Sequence, residues 1–276
     1  MSTSATPATA TTAVPGSAQG ATLGRFVWHD LITADPDAAQ RFYTQVVGWG
    51  TQRWGNSDPP YTMWTVAETP IGGVVRTPDD MAARGTPSHW MTFVESPDVD
   101  GTVEKVTTLG GRTLVAPTDI PTVGRYAVLS DPQGATFAVF TPLGQSPAYE
   151  GEPRQGDVTW HELLTTDERA AFDFYAQLVG WEKTSAMDMG EGQIYQMFGR
   201  TGIPLGGMYS AKAGAQAPPN WMPYFHVDSA DKAAERVKQL GGQVVNGPME
   251  VPGGDRIAVC IDPQGAAFGL QSRAKS

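Results

Sequence analysis

Trp28-His29-Asp30-Leu31 returns 132 positions later as Trp160-His161-Glu162-Leu163. Phe42-Tyr43 and Val47-Gly48-Trp49 return at the same offset as Phe174-Tyr175 and Val179-Gly180-Trp181. Gly72-Gly73 returns as Gly206-Gly207. Trp90-Met91, Leu109-Gly110-Gly111, Arg125 and Asp131-Pro132-Gln133-Gly134-Ala135 return as Trp221-Met222, Leu240-Gly241-Gly242, Arg256 and Asp262-Pro263-Gln264-Gly265-Ala266. The offset drifts by a few residues, as loops of differing length allow. Such self-similarity is the mark of a duplicated unit. It confines the fold to two copies of one domain, each of roughly 120 residues, an ordinary domain size. It also supplies an internal control: a functional residue present in one copy only belongs to one site or to none.

Within the first copy, Phe26–Ile32 reads as a strand. A helix start follows, with Asp35 as cap and Pro36 in the first turn. Ala39, Phe42, Tyr43, Val46 and Val47 share a helical face, and Gly48 ends the helix. Strands are expected near residues 49–54, 61–66 and 71–75. The pattern then restarts, with a strand at 90–94, a helix from Asp98 to Leu109, and strands at 112–115, 125–130 and 136–141. Asp131-Pro132-Gln133-Gly134 reads as a tight turn. Each domain is thus βαβββ twice, an α+β fold. The expected boundaries are a disordered tail at 1–22, domains at 23–142 and 157–272, and a linker at 143–156.

The net charge of -10 disfavours nucleic acid and anionic membrane surfaces as partners. No apolar run approaches the roughly 18–20 residues of a membrane span. Residues 1–22 carry no charge and no apolar core, so they do not read as a signal peptide. A single cysteine, Cys260, suits a reducing cytoplasm. The expected partner is a small molecule, and the expected assembly is a monomer of two pseudo-symmetric domains or a homodimer.

The order of a helix ending in Phe-Tyr, then Val-Gly-Trp, a Gly-Gly strand, a strand with Trp and Tyr or Phe three residues on, Leu-Gly-Gly and Asp-Pro-Gln-Gly-Ala resembles the vicinal oxygen chelate superfamily. That superfamily contains glyoxalase I, bleomycin and fosfomycin resistance proteins and extradiol dioxygenases. The resemblance covers residues 24–142 and 157–272. It implies tandem open eight-stranded cups, each made of two βαβββ modules with the ligand inside. It also implies a divalent metal held by His and Glu from the first, fifth and last strands of a cup. Carried over by position, the first-strand ligand falls on Trp28 and Trp160, the fifth-strand ligand near Met91 and Met222, and the last-strand Glu on Ala138 and Gly269. The usual metal set is therefore not kept. An improvised site drawing on Asp30, His89 and Glu95, or on Glu162 and His226, is the remaining metal candidate.

Strand side chains alternate, so Asp30 and Glu162 share a face with Trp28 and Trp160 while His29 and His161 point away. A carboxylate inside an apolar cup is a candidate general acid or base; the competing reading is a carboxylate tied to backbone N–H groups. His226 joins them as a catalytic candidate. Trp28, Trp64, Trp90, Arg125, Trp160, Met222, Tyr224 and Arg256 are the candidate substrate contacts, against core packing for the aromatics and surface ion pairing for the arginines. No nucleophile motif, Walker loop or dinucleotide fingerprint is present. The leading functional expectation is a binding protein for an aromatic or apolar metabolite. The alternatives are a metal- or carboxylate-dependent lyase, isomerase or oxygenase, and a scaffold whose pockets are filled by side chains.

Overall fold

The computed structural model describes residues 22–274 apart from 56, 58, 145–151, 213, 215 and 216, so residues 1–21 of the expected 1–22 tail and much of the 143–156 linker lie outside the described residues. The first domain runs β1 (Phe26–Thr33), α1 (Pro36–Val46), β2 (Gly50–Arg53), β3 (Thr62–Val66), β4 (Thr69–Arg76), α2 (Asp79–Ala83), β5 (His89–Glu95), α3 (Val99–Thr108), β6 (Arg112–Ile120), β7 (Gly124–Ser130) and β8 (Thr136–Pro142). The second runs β9 (Val158–Thr165), α4 (Glu168–Val179), β10 (Glu182–Asp188), β11 (Ile194–Arg200), β12 (Ile203–Ser210), β13 (Asn220–His226), α5 (Ala230–Gln239), β14 (Gln243–Glu250), β15 (Arg256–Ile261) and β16 (Ala267–Ser272). Each domain is one open eight-stranded sheet, ordered β2-β3-β4-β1-β5-β8-β7-β6 and β10-β11-β12-β9-β13-β16-β15-β14. The short α2, unforeseen from the sequence, has no counterpart among the described residues of the second domain. Among the described residues no helix is long and apolar enough to cross a membrane.

Local chemistry accounts for the helix ends. Asp35, Asp98, Asp167 and Ser229 accept backbone N–H groups of the first turns of α1, α3, α4 and α5, which otherwise lack partners. Gly48 and Gly180 follow α1 and α4 in the left-handed conformation, with φ of 90° and 75°. The repeated Gly-Gly pairs serve two ends. A side chain on Gly72 or Gly206 would run into the carbonyl oxygen of His29 or His161, where β4 and β12 lie parallel to β1 and β9. One on Gly73 or Gly207 would overlap the ring of Tyr61 or Tyr195.

The two domains do not own separate cores. One cluster joins Leu31, the α1 face, Trp49, Trp64 and Trp90 to Phe225, Val237, Ala258, Cys260, Phe268 and Leu270 of the second domain. The other joins Val94, Val106, Leu129 and Phe137 to Leu163, the α4 face, Trp181, Phe198 and Trp221. The first module therefore packs on the fourth and the second on the third. The two sheets turn their helix-bearing faces toward each other and leave their cups facing away.

The repeated motifs are the fasteners of this interface. Trp90 donates to the Tyr43 hydroxyl (3.2 Å), which donates to Asp262 of the other domain (3.1 Å). Reciprocally, Trp221 donates to Tyr175 (2.9 Å), which donates to Asp131 (3.2 Å). The Gln133 side chain pairs with the Asp167 backbone at the start of α4, and Gln264 does the same at Asp35. Trp49 and Trp181 donate to the carbonyls of Gly156 and Gly24. At the centre, His29 Nε2 lies 2.8 Å from His161 Nε2. Burial pushes His29 down to about 3 and His161 well below its ordinary value, so both rings are neutral, and Nδ1 of His161 lies 3.1 Å from the Leu205 carbonyl oxygen.

Candidate functional site in the second cup

Alternation along β1 and β9 turns Trp28, Asp30 and Ile32, and Trp160, Glu162 and Leu164, into the cups, and sends His29 and His161 to the domain interface. The same three side-chain types meet in each cup. In the first, Tyr61 donates to Asp30 (2.6 Å) and the Trp28 indole reaches both Asp30 (2.9 Å) and the Tyr61 hydroxyl (2.8 Å). In the second, Tyr195 donates to Glu162 (3.0 Å) and Trp160 donates to Tyr195 (2.7 Å). Tyr224 also hydrogen-bonds Glu162.

The cups differ in what fills them. Val27, Met91, Phe93 and Ala138 form a buried cluster in the first, with Trp28, Ile32, Tyr126, Val128 and Phe140 packed on it. At positions matching Tyr126 and Phe140 the second repeat carries Ile257 and Gln271, which gives up two aromatic rings. A cavity of about 710 Å³ opens there, with Trp160, Glu162, Tyr195, Tyr209 and Tyr224 on one wall. Met187, Met189, Met197 and Met249, with Ile257 and Val259, make much of the rest. Methionine is unbranched and polarizable, so such a wall adapts to a ligand's outline.

Burial pushes Glu162 up to about 7 and Asp30 up to about 6, against their tyrosine hydrogen bonds. The folded state thus holds a proton on Glu162 that the unfolded chain has released. Its contribution to stability is full below the unfolded value of 4.5 and is lost as pH rises through about 7. Glu162→Gln removes this slope. Relative to wild type, the variant is expected to gain up to about 3 kcal/mol between pH 4.5 and 8. Urea unfolding of both proteins across that range measures it, and parallel profiles would refute it. Taking the difference cancels His29 and His161, whose lowered values act with the opposite sign.

The family's divalent metal does not fit these residues. Its last-strand position is Gly269, where any side chain would collide with the Tyr224 ring. Its first-strand position is Trp160, whose indole nitrogen donates a hydrogen bond to Tyr195 and offers no lone pair. Among the described residues no three His, Cys, Asp or Glu side chains are placed to share an ion.

Several expected site residues lie elsewhere. His89 and Glu95 stand at opposite ends of β5, about 20 Å apart at the rise of a strand, so they cannot ligate one metal. His89 meets the Pro87 carbonyl, and Glu95 is buried against Arg25. His226 lines a separate interdomain cleft with His29, Arg154 and Arg273, outside the cup that holds Glu162, although Trp160, Asp255 and Gln271 border both spaces. Trp64 and Trp90 are buried in the shared core behind the sheet. For Trp90 the parity of β5 already carried this, since Met91 faces the cup. Arg125 and Arg256 fork onto Asp100 and Asp231 in the first turns of α3 and α5, on the outer surface. Met222 stands opposite Glu162 in register but is buried outside the cavity lining. Trp28 is held by Asp30 and Tyr61 in the filled cup. Trp160 and Tyr224 do line the cavity. Tyr195, Tyr209 and Met249 complete the wall and were not among the expected contacts. The signal for a hollow second cup was present in the smaller Ile257 and Gln271 at matched positions.

Residues 26–140 match the Glyoxalase-like domain family and residues 158–270 the Glyoxalase/Bleomycin resistance protein/Dioxygenase superfamily. CFP32 of Mycobacterium tuberculosis, named provisionally as a glyoxylase, is 33% identical over 251 residues, spanning 88% of this chain and 92% of the relative. The anthracycline biosynthesis protein DnrV of Streptomyces peucetius is 31% identical over 261 residues, spanning 90% and 92%. The fold is shared with the Mn(II)-bound glyoxalase of Novosphingobium aromaticivorans at a TM-score of 0.63 and 15% identity, covering 92% of this chain and 84% of that one. It is shared with an extradiol ring-cleaving dioxygenase of B. fuscum at 0.64 and 16%, covering 94% and 74%. With two such domains in tandem, the chain belongs to the glyoxalase/bleomycin resistance protein/dioxygenase, or vicinal oxygen chelate, superfamily.

Proposed function

We propose that the protein binds a flat, largely apolar small molecule in its second cup without a divalent metal, and that the first cup serves as scaffold. The observation that carries this reading is the contrast between a cavity of about 710 Å³ and a counterpart packed with aromatic side chains. That volume lies within the roughly 300–1,000 Å³ of small-molecule sites. The wall is mostly Met, Tyr, Trp and aliphatic, with the Glu162 carboxyl among its few charged groups. The similarity to DnrV, whose name places it in the biosynthesis of polycyclic aromatic anthracyclines, supports a flat ligand.

Acridine at pH 8, where it is neutral, is expected to quench tryptophan fluorescence saturably. Ile257→Tyr, which restores the bulk of the first cup, is expected to weaken binding at least about tenfold, since it occupies ligand space. Unchanged affinity in Ile257→Tyr, or no saturable quenching, would sink the reading. A second reading rests on the Glu162 carboxyl lying near 7, where a group can both take and give a proton at neutral pH. In that case the bound molecule is a substrate for proton transfer, and Glu162→Gln abolishes turnover while binding survives.

A further inference from the structure

Glu162 is a partly buried carboxyl whose neighbours supply hydrogen bonds but no positive charge. Tyr195 reaches it from β11 and Tyr224 from β13, and Tyr209 faces it from β12. All three phenols are held above their ordinary value by burial and by the Glu162 charge, so they stay neutral. Among the described residues Glu162 makes no ion pair. The one basic side chain lining the cup, Lys212, is exposed and paired with Glu191 at 3.0 Å. The remaining charged group on the wall, Asp255, is another acid, held by the Gln271 side chain and the Ala274 N–H. Arg256, on β15, is committed to Asp231.

A carboxylate without a counter-ion, set among four aromatic side chains, is the arrangement that recognises organic cations: the carboxylate supplies the charge and the rings their electron-rich faces. Trp160, Tyr195, Tyr209 and Tyr224 provide the aromatic side, and the Tyr195 and Tyr209 rings stack at 6.0 Å. A hydroxyl-bearing neutral ligand would use the acid as well, but above about pH 7, where the acid ionises, it would leave that charge unbalanced. In the first cup Asp30 accepts from Tyr61 and Trp28, Phe93 stands where the second cup has Tyr224, and Tyr126 and Phe140 take the places of Ile257 and Gln271.

Resting on the reading of the second cup as a ligand site, we propose that its ligand class is an organic cation, a protonated or quaternary amine on a flat apolar body, with the nitrogen beside Glu162 among Trp160, Tyr195, Tyr209 and Tyr224. The chain's net charge of -10 favours the approach of such a ligand.

N-methylacridinium and acridine, compared at pH 8, differ by a methyl group and a fixed positive charge. The cation is expected to bind the intact protein about 10- to 100-fold more tightly, the range for one charge-assisted contact. Glu162→Gln should erase that preference, bringing the two affinities to the same value. Because the cation favours the ionised acid, binding at pH 7 should release roughly half a proton in wild type and none in the variant. Calorimetry in phosphate and in Tris reads this directly. Equal affinities in wild type, proton uptake, or a preference that persists in Glu162→Gln would each overturn the cation assignment. Acridine binding without a cation preference leaves the cup a ligand site for a different class, whereas binding of neither compound removes both readings.

Discussion

Residues 23–142 expressed alone are expected not to fold. The face of α1 and the backs of β1 and β5 have their partners in α5, β13, β15 and β16. Cut away, they would expose Phe42, Trp49, Trp64 and Trp90 to water. Each large buried apolar side chain contributes roughly 1.5–3 kcal/mol, so losing even a few exceeds the 5–15 kcal/mol stability typical of a protein. Asp131 would lose its Tyr175 partner, and His29 its His161 partner. The expected result is a fragment without near-ultraviolet circular dichroism or a cooperative melt. Mixing it with residues 157–272 should restore both, because the interface is self-complementary between the modules. A sharp melt and native-like aromatic signal from either isolated half would show that the shared cores are dispensable.

The second large effect is expected at Asp131. Its carboxylate accepts the N–H groups of Gln133 and Ala135, both at 2.9 Å, and the Tyr175 hydroxyl. Asp131→Ala would leave buried donors without partners, at roughly 1–3 kcal/mol each. A loss of about 3 kcal/mol or more is expected, a fall in Tm of roughly 6–12 °C for a cooperative unit of this size. Tyr175→Phe removes one bond and should cost about 1 kcal/mol. The double variant should cost less than the sum, since the two groups share a bond. Additive losses in the double-mutant cycle would mean that the Tyr175–Asp131 bond contributes nothing, and a Tm drop of under 2 °C in Asp131→Ala would refute the role of the turn as a fastener.

These two predictions bear on what the repeated residues are for. Phe-Tyr and Asp-Pro-Gln-Gly-Ala are among the motifs that carry the family resemblance, and both occur in each copy. In the folded chain they serve the contact between copies: Tyr43 meets Asp262 and Tyr175 meets Asp131. A motif duplicated with its domain reads the same whether it acts within a copy or across copies. The partners are 219 and 44 residues apart, and no local periodicity connects them.

The sequence by itself determined the duplication, the βαβββ order, the helix cap at Asp35, and the alternation that places Asp30 and Glu162 on one face and His29 and His161 on the other. These follow from short-range rules: strand side chains alternate every residue, and a helix start needs an acceptor for its free N–H groups. Only the tertiary structure decided which modules share a core, that Trp64 is a core residue, and that Arg125 and Arg256 spend their charge on helix aspartates. It also decided the size of the cavity that the smaller Ile257 and Gln271 leave in the second cup. Those outcomes depend on side-chain volume and charge summed over residues from several strands, as where Ile257 and Gln271 replace the bulk of Tyr126 and Phe140. Whether a carboxylate such as Glu162 faces protein or open space is set by that sum, which a single strand's pattern does not contain.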